Sequence, residues 1–255
     1  MHENIIRDDI IFGKNPLVEA LESGVTINKV ELSNTLHRDA RIDKILDLLK
    51  EKKIPYTWVP SRSLNLLAGD QVHQGIVAYR SPYNYYELED ILKEAKKRTQ
   101  PAFILILDGI EDPHNFGALI RTAEAAGIHG IVIPKHRATT VTAVVAKTSA
   151  GAAEHMKIHR SNSLSQIIEK LKQSGLWIVG VEGDSDKIYF EADLTGPIAL
   201  ILGSEGKGVS HNIKKNCDFL VKIPMLGKIT SLNVSAAGAV TMFEAVKQKL
   251  TKKEL

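Results

Sequence analysis

The stretch A-L-I-L-G-S-E-G-K-G-V-S, residues 199–210, decides how this chain folds. Ala199 to Leu202 form an apolar run, the pattern of a strand covered on both faces. Gly203, Gly206 and Gly208 follow at once, with Lys207 among them. A phosphate-binding P-loop requires G-x-x-x-x-G-K-[ST]. Counting from Gly203 puts the second glycine at Gly208, but Val209 then stands at the lysine position. The dinucleotide fingerprint G-x-G-x-x-G also fails, because His211 stands where its third glycine should be. Both phosphate readings therefore fail on spacing, and the role of these glycines stays open at this point.

Around this stretch the same texture repeats. F-I-L-I-L-D (103–108), G-I-V-I-P (130–134), L-W-I-V-G-V-E-G (176–183), G-P-I-A-L-I-L-G (196–203) and F-L-V-K-I-P (219–224) read as strands. N-F-G-A-L-I-R-T-A-E-A-A-G (115–127), L-S-Q-I-I-E-K-L-K-Q-S-G (164–175) and the run from Asn233 to Leu250 read as helices. Strands alternating with helices of this length predict an α/β domain with a parallel sheet covered on both faces. Ligands bind such sheets beyond the carboxyl ends of the strands. Four loops belong there: 108–115, 134–140, 203–208 and 224–233.

Upstream lies a smaller α/β pattern. A short helix over P-L-V-E-A-L-E-S-G stops at Gly24, K-V-E-L-S is a strand, and residues 39–53 carry Ile42, Ile45, Leu46, Leu48 and Leu49 at helical spacing up to Pro55. P-Y-T-W-V, S-R-S-L-N-L-L-A and G-I-V-A-Y complete a unit ending near Tyr79. R-S-P-Y-N-Y-Y (80–86) has no apolar period and reads as a linker, followed by an amphipathic helix over residues 88–100. The expected organisation is 1–79, a linker and connecting helix over 80–100, and a domain over 101–255.

With 44% apolar and 25% charged residues the chain has material for sizeable cores. A net charge of +3 permits a nucleic-acid partner without demanding one. The single cysteine, Cys217, excludes an intrachain disulfide and suits a reducing compartment. The opening M-H-E-N-I-I-R-D-D-I lacks the basic and apolar regions of a signal peptide, and no apolar run approaches membrane-spanning length. A soluble cytoplasmic protein is expected.

Three of the four loops carry unusual residues. The first has Asn115, Gly117 and Arg121; the second Gly203, Ser204, Glu205, Gly206 and Gly208; the third Pro224, Gly227, Ser231, Asn233 and Ser235. In this order, at strand ends, N-x-G-x-x-x-R, G-S-E-G-x-G and I-P-M-x-G-x-x-x-S-L-N-V-S resemble the motifs of the SpoU (TrmH) family of RNA ribose 2′-O-methyltransferases. The resemblance covers residues 101–247, with no departure at the motif positions. The N-terminal unit, from F-G-K-N-P-L-V-E-A-L to H-Q-G-I-V-A, is similar to the small RNA-binding domain of the subgroup that methylates a guanosine of 23S ribosomal RNA.

That resemblance implies a SPOUT-type C-terminal domain with a deep trefoil knot, a rare exception to ordinary topology, beside a small N-terminal α/β RNA-binding domain. It implies S-adenosylmethionine as cofactor, held by Leu202, Gly203, Ile223, Met225 and Leu232. The glycines would let backbone groups reach the cofactor closely. Asn115, Arg121, Glu205, Ser231 and Asn233 would form the catalytic site, completed across a homodimer formed through the catalytic domain. Family members are proposed to use the arginine in deprotonation. A guanidinium, however, effectively never loses its proton, so Arg121 suits an RNA phosphate and developing negative charge better. The N-terminal cations and amide Lys14, Asn15, Arg38, Arg41 and Arg62 would contact RNA, most plainly ribosomal RNA.

Each residue alone has a plainer reading. Asn115 would cap a helix, Arg121 would be a solvated helix cation, Glu205 a loop carboxylate, and Ser231 and Asn233 caps of the last helix. Only their co-occurrence argues otherwise. His155 and His159 lack an acidic or cysteine partner in zinc spacing, so no metal is expected. Transfer RNA is the alternative substrate. A non-catalytic RNA-binding protein and a nucleotide-dependent oxidoreductase are the competing classes; the catalytic set disfavours the first and the failed fingerprint the second.

Overall fold

A computed structural model describes residues 10–22, 25–69, 71–81 and 83–253. The helix stop at Gly24, Pro82 of the linker and the last two residues of the tail lie outside them. The chain divides into two compact units, Met1–Asn84 and Tyr85–Leu255.

The first unit runs β1 (Ile10–Phe12), α1 (Lys14–Glu22), β2 (Ile27–Ser33), α2 (Ala40–Glu51), β3 (Tyr56–Val59), α3 (Ser61–Ala68) and β4 (Ile76–Arg80). Its sheet has the order β1-β4-β2-β3, with only β2 and β3 parallel. Leu17 and Leu21 of α1 and Ile42, Ile45 and Leu49 of α2 are buried with Val30, Leu32, Ile76 and Ala78. The helical spacing at 39–53 thus becomes the core-facing stripe, started by Asp39, whose side chain accepts the Ile42 amide.

The second unit runs α4 (Leu88–Lys97), β5 (Phe103–Asp108), α5 (Pro113–Ala125), β6 (Gly130–Pro134), α6 (Ala143–Thr148), β7 (Ile158–Ser161), α7 (Leu164–Gln173), β8 (Trp177–Val181), β9 (Ile198–Gly203), α8 (His211–Lys214), β10 (Phe219–Val221) and α9 (Val234–Lys253). Its six strands are all parallel in the order β10-β8-β9-β5-β6-β7. β5 and β9 lie side by side from Phe103↔Ile198 to Asp108↔Gly203, so the first and second motif loops leave neighbouring strand ends. That adjacency builds the site.

Three details differ from the sequence reading. The helix after the linker is no mere connection, because Leu88 and Ile91 sit in the core of the second unit. Burying each such side chain contributes roughly 1.5–3 kcal/mol, enough to make α4 an integral layer. The linker itself is anchored: Ser81 and Tyr83 bond within the first unit, and the Tyr86 amide donates to Ile158 O at 2.9 Å in the second. The stretch 134–161 holds α6 and β7, short elements whose periods are too brief to read from sequence.

Candidate active site

The helix carrying the first motif begins earlier than Asn115. Asp112 is its N-cap, accepting from the amides of His114 and Asn115, with Pro113 in the first turn. Proline suits that position because its missing amide would have no intrahelical partner. Asn115 is therefore not the cap, and its side chain is free for other work. Its Nδ2 donates to Glu205 Oε1 at 3.1 Å. Asn233 Nδ2 donates to the same oxygen at 2.6 Å and to Asn115 Oδ1 at 3.0 Å. Residues 90 and 118 positions from Asn115 thus meet in one network.

Asn233 also does what its plainer reading predicted. Its Oδ1 accepts from the amide of Ser235 at 2.9 Å and from the Ser235 hydroxyl at 2.5 Å, at the start of α9. An amide side chain supplies both an acceptor and donors, so one residue caps the helix and reaches the site.

The glycine loop is a tight turn, with Gly208 N donating to Ser204 O at 2.9 Å. The close approach expected at Gly203 exists, but the approaching group is the chain itself. A Cβ on Gly203 would overlap the Gly208 carbonyl and the Val209 amide. Gly203 is thus required by the loop folding back over its own strand, while its backbone still lines the smaller cleft. Asp108 at the end of β5 accepts the Ser210 amide at 2.8 Å and pins the far end of the loop.

Two clefts meet at this loop. A cleft of about 700 Å³ is lined by Leu202, Gly203, Ile223, Met225 and Leu232, together with Glu205, Ser231 and Asn233. A larger one, of about 910 Å³, takes Asp108, Asn115, His136, Arg137 and His211, and shares Ser204, Glu205, Lys207, Gly208, Lys214 and Val234 with the first. The hydrogen-bonded network stands where they adjoin. Its members are half-buried or exposed, so an outside molecule has access.

Two of the five candidate catalytic residues stand apart from this network. Ser231 lines the smaller cleft without a hydrogen bond to the others. Arg121 is exposed on α5 and has no partner among the described residues. Six positions after Asn115 on a helix, it points roughly 240° around the axis, away from that side chain. Sequence reasoning also missed two residues. Glu182 and Lys214 line the smaller cleft, and Glu182 is buried at 7% exposure. A carboxylate just beyond a strand's carboxyl end was the available signal.

In the first unit, Lys14 pairs with Asp39 at 2.7 Å, Arg38 with Asp43 at 2.6 Å, and Arg41 donates to Asn15 Oδ1 at 2.6 Å. The Lys14 hydrogen bond, and after it the Ile42 amide, hold the Asp39 carboxyl below its usual range. Arg62 is exposed and has no partner among the described residues. Four of the five residues assigned to RNA are thus engaged within the unit. Exposed pairs of this kind contribute little to stability. Among the described residues, no helix is long and apolar enough to cross a membrane.

Similarity to known proteins is an independent observation. The profile of the SpoU rRNA Methylase family matches residues 102–243, and one described as RNA 2′-O ribose methyltransferase substrate binding matches residues 10–86. The Bacillus subtilis (strain 168) protein YacO, named for the TrmH family of tRNA/rRNA methyltransferases, is 41% identical over 242 residues, covering 94% of this chain and 96% of its own. A Staphylococcus aureus (strain MSSA476) protein named for the same family is 39% identical, covering 96% and 98%. The SpoU methyltransferase AviRb from Streptomyces viridochromogenes, solved with AdoMet, shares the fold with a TM-score of 0.60 at 22% identity, over 95% of this chain and 90% of its own.

Proposed function

The chain belongs to the SpoU rRNA methylase family, and on that premise we propose that it methylates a ribose 2′-hydroxyl in structured RNA, a guanosine of 23S ribosomal RNA, with S-adenosylmethionine as donor. The observation that carries this reading is the Asn115–Glu205–Asn233 network at the junction of two clefts. The smaller cleft fits such a cofactor in chemistry as well as size. Leu202, Ile223, Met225 and Leu232 offer apolar surface to an adenine, backbone groups at the strand ends offer hydrogen bonds, and Asp184 and Glu205 offer negative charge to a cation. The cofactor supplies an already activated methyl group.

The protein's own residues then need only place a hydroxyl in line and help its proton leave. Asn115 and Asn233 both donate to Oε1 of Glu205 and fix that carboxylate in orientation. Its other oxygen is left to accept from the ribose hydroxyl entering by the larger cleft. Arg121, exposed and without a partner among the described residues, clamps an RNA phosphate across a homodimer and stabilises developing alkoxide charge. The family's fold carries a deep trefoil knot in this domain, with the last helix drawn through a loop. The N-terminal domain expected over residues 1–79, which lies within the first unit, selects RNA by phosphate contacts and shape.

Ribose-methylation mapping of total RNA from a deletion strain tests this. Loss of one 23S guanosine methylation, restored by the gene but not by a Glu205→Ala copy, is the expected result. A lost transfer-RNA mark would move the substrate to the alternative class, and no lost mark would favour a binding role.

A further inference from the structure

Beneath the glycine loop lies a second constellation that the methyl-transfer motifs do not include. Glu182, just past the end of β8, is buried, yet each of its carboxylate oxygens has a partner. Oε1 accepts the backbone amide of Val209. Oε2 faces the ammonium of Lys214 on α8 at 2.5 Å, and Asp184 lies 3.8 Å from the same ammonium. The hydrogen bond from Lys214 to Glu182 is the main cause that holds the Lys214 pKa above its usual value. Gly208 turns the chain over this carboxylate at φ +65°, where a Cβ would overlap it. One carboxylate therefore ties together β8, the last turn of the glycine loop and α8.

Both residues also line the smaller cleft. A buried carboxylate is tolerated when it is paired and hydrogen-bonded, and removing one partner leaves an uncompensated charge. The Val209 anchor holds the closing turn of the loop, while the Ser204–Gly208 bond, the Asp108 contact and the bonds of Asn115 and Asn233 to Glu205 hold the rest.

We propose that Glu182 and Lys214 form a latch that holds the Gly208–Val209 turn in the conformation that binds S-adenosylmethionine, as a positioning pair outside the catalytic set. The proposal rests on the reading of the smaller cleft as the cofactor site. Direct titration of the unaltered protein with S-adenosylmethionine checks that reading first: no binding there would overturn the cofactor assignment before any variant is made.

The latch is then tested by hydrogen exchange, calorimetry and kinetics on the full chain. Glu182→Ala should raise amide exchange at least tenfold in peptides spanning 203–210, with β5 and β6 unchanged, and cofactor should restore protection. Cofactor affinity should fall tenfold or more, with KM for the cofactor rising while kcat drops less than threefold. Glu182→Gln retains an acceptor for the Val209 amide but loses the charge pair, so its loss should be smaller. Lys214→Met should weaken binding while leaving the Val209 amide partly protected. If Glu182→Ala does not fold, the other two variants carry the test. Affinity and loop exchange within twofold of the unaltered protein in these variants would overturn the latch. So would exchange rising evenly across the sheet, which marks a plain stability contribution.

Discussion

Nδ2 of Asn233 lies 2.6 Å from Oε1 of Glu205, while the Oδ1 of the same side chain caps α9 through the Ser235 amide. The start of the last helix and the glycine loop are thereby set by one amide. Asn233→Ala should lose the cap, costing roughly 1 kcal/mol of stability, and also release Glu205. Asn233→Asp keeps a capping acceptor but sets a second carboxylate against Glu205. Thermal melts and kcat should therefore separate: alanine lowers both, whereas aspartate lowers kcat with a smaller change in Tm. Equal kcat in the aspartate variant would remove the network from catalysis.

Gly203→Val should fail for a reason internal to the fold. The side chain would occupy the space of the Gly208 carbonyl and Val209 amide. Even Gly203→Ala should lower Tm in the absence of cofactor and weaken its binding in parallel, since the loop must move to admit a single methyl. Calorimetry and melts on the alanine variant check this; an unchanged Tm with weakened binding would restore direct ligand access as the reason for the glycine.

Arg121→Ala should depress kcat far more than cofactor affinity, because its partner arrives only with the reacting RNA. Arg121→Lys should recover little, an ammonium lacking the planar fork. If the arginine acts across a homodimer, mixing the Arg121→Ala and Asn233→Ala chains should restore activity to about a quarter of normal, one intact site in each mixed dimer. Mixtures as inactive as their parents would place Arg121 and the network in the same subunit's site or outside the mechanism.

A fragment beginning at Tyr85 should fold and bind cofactor, because its core is complete within itself. Its kcat/KM for the natural RNA should fall sharply. RNA binding by the first unit should weaken with salt, as phosphate contacts require. A fragment as efficient on the same nucleotide as the whole chain would falsify the division of labour.

Lys249 offers a stability test away from the site. Its ammonium lies 3.8 Å from the centre of the Phe103 ring, and burial lowers its pKa to about 8 from 10.5. The folded state thus releases this proton more readily than the unfolded state. Between about pH 8 and 10.5 the unfolded chain binds the extra proton, so this residue's contribution makes stability rise with pH there. Lys249→Met should flatten that rise in denaturant midpoints measured across the window. An unaltered slope would show that Lys249 does not cause it.

The sequence by itself determined the local and the periodic. The apolar runs at 103–108 and 198–203 predicted parallel strands, and the helix spacing at 39–53 predicted the stripe that α2 buries. The residues Asn115, Glu205 and Asn233 were legible only through the resemblance that three strand-end motifs together carry, since each alone had a plainer reading. Their meeting was not legible, since it depends on β5 and β9 being neighbours although 90 residues separate Asn115 from Glu205. Asp112 rather than Asn115 took the cap because it sits one residue before Pro113, where the side chain reaches the first free amides. Only the tertiary structure decided what Gly203 is for. Composition and spacing cannot reveal that a chain segment five residues on returns to fill the space above a strand. The same holds for Glu182 and Lys214, which lie 32 positions apart and form a pair only because β8 ends beside the turn that α8 continues.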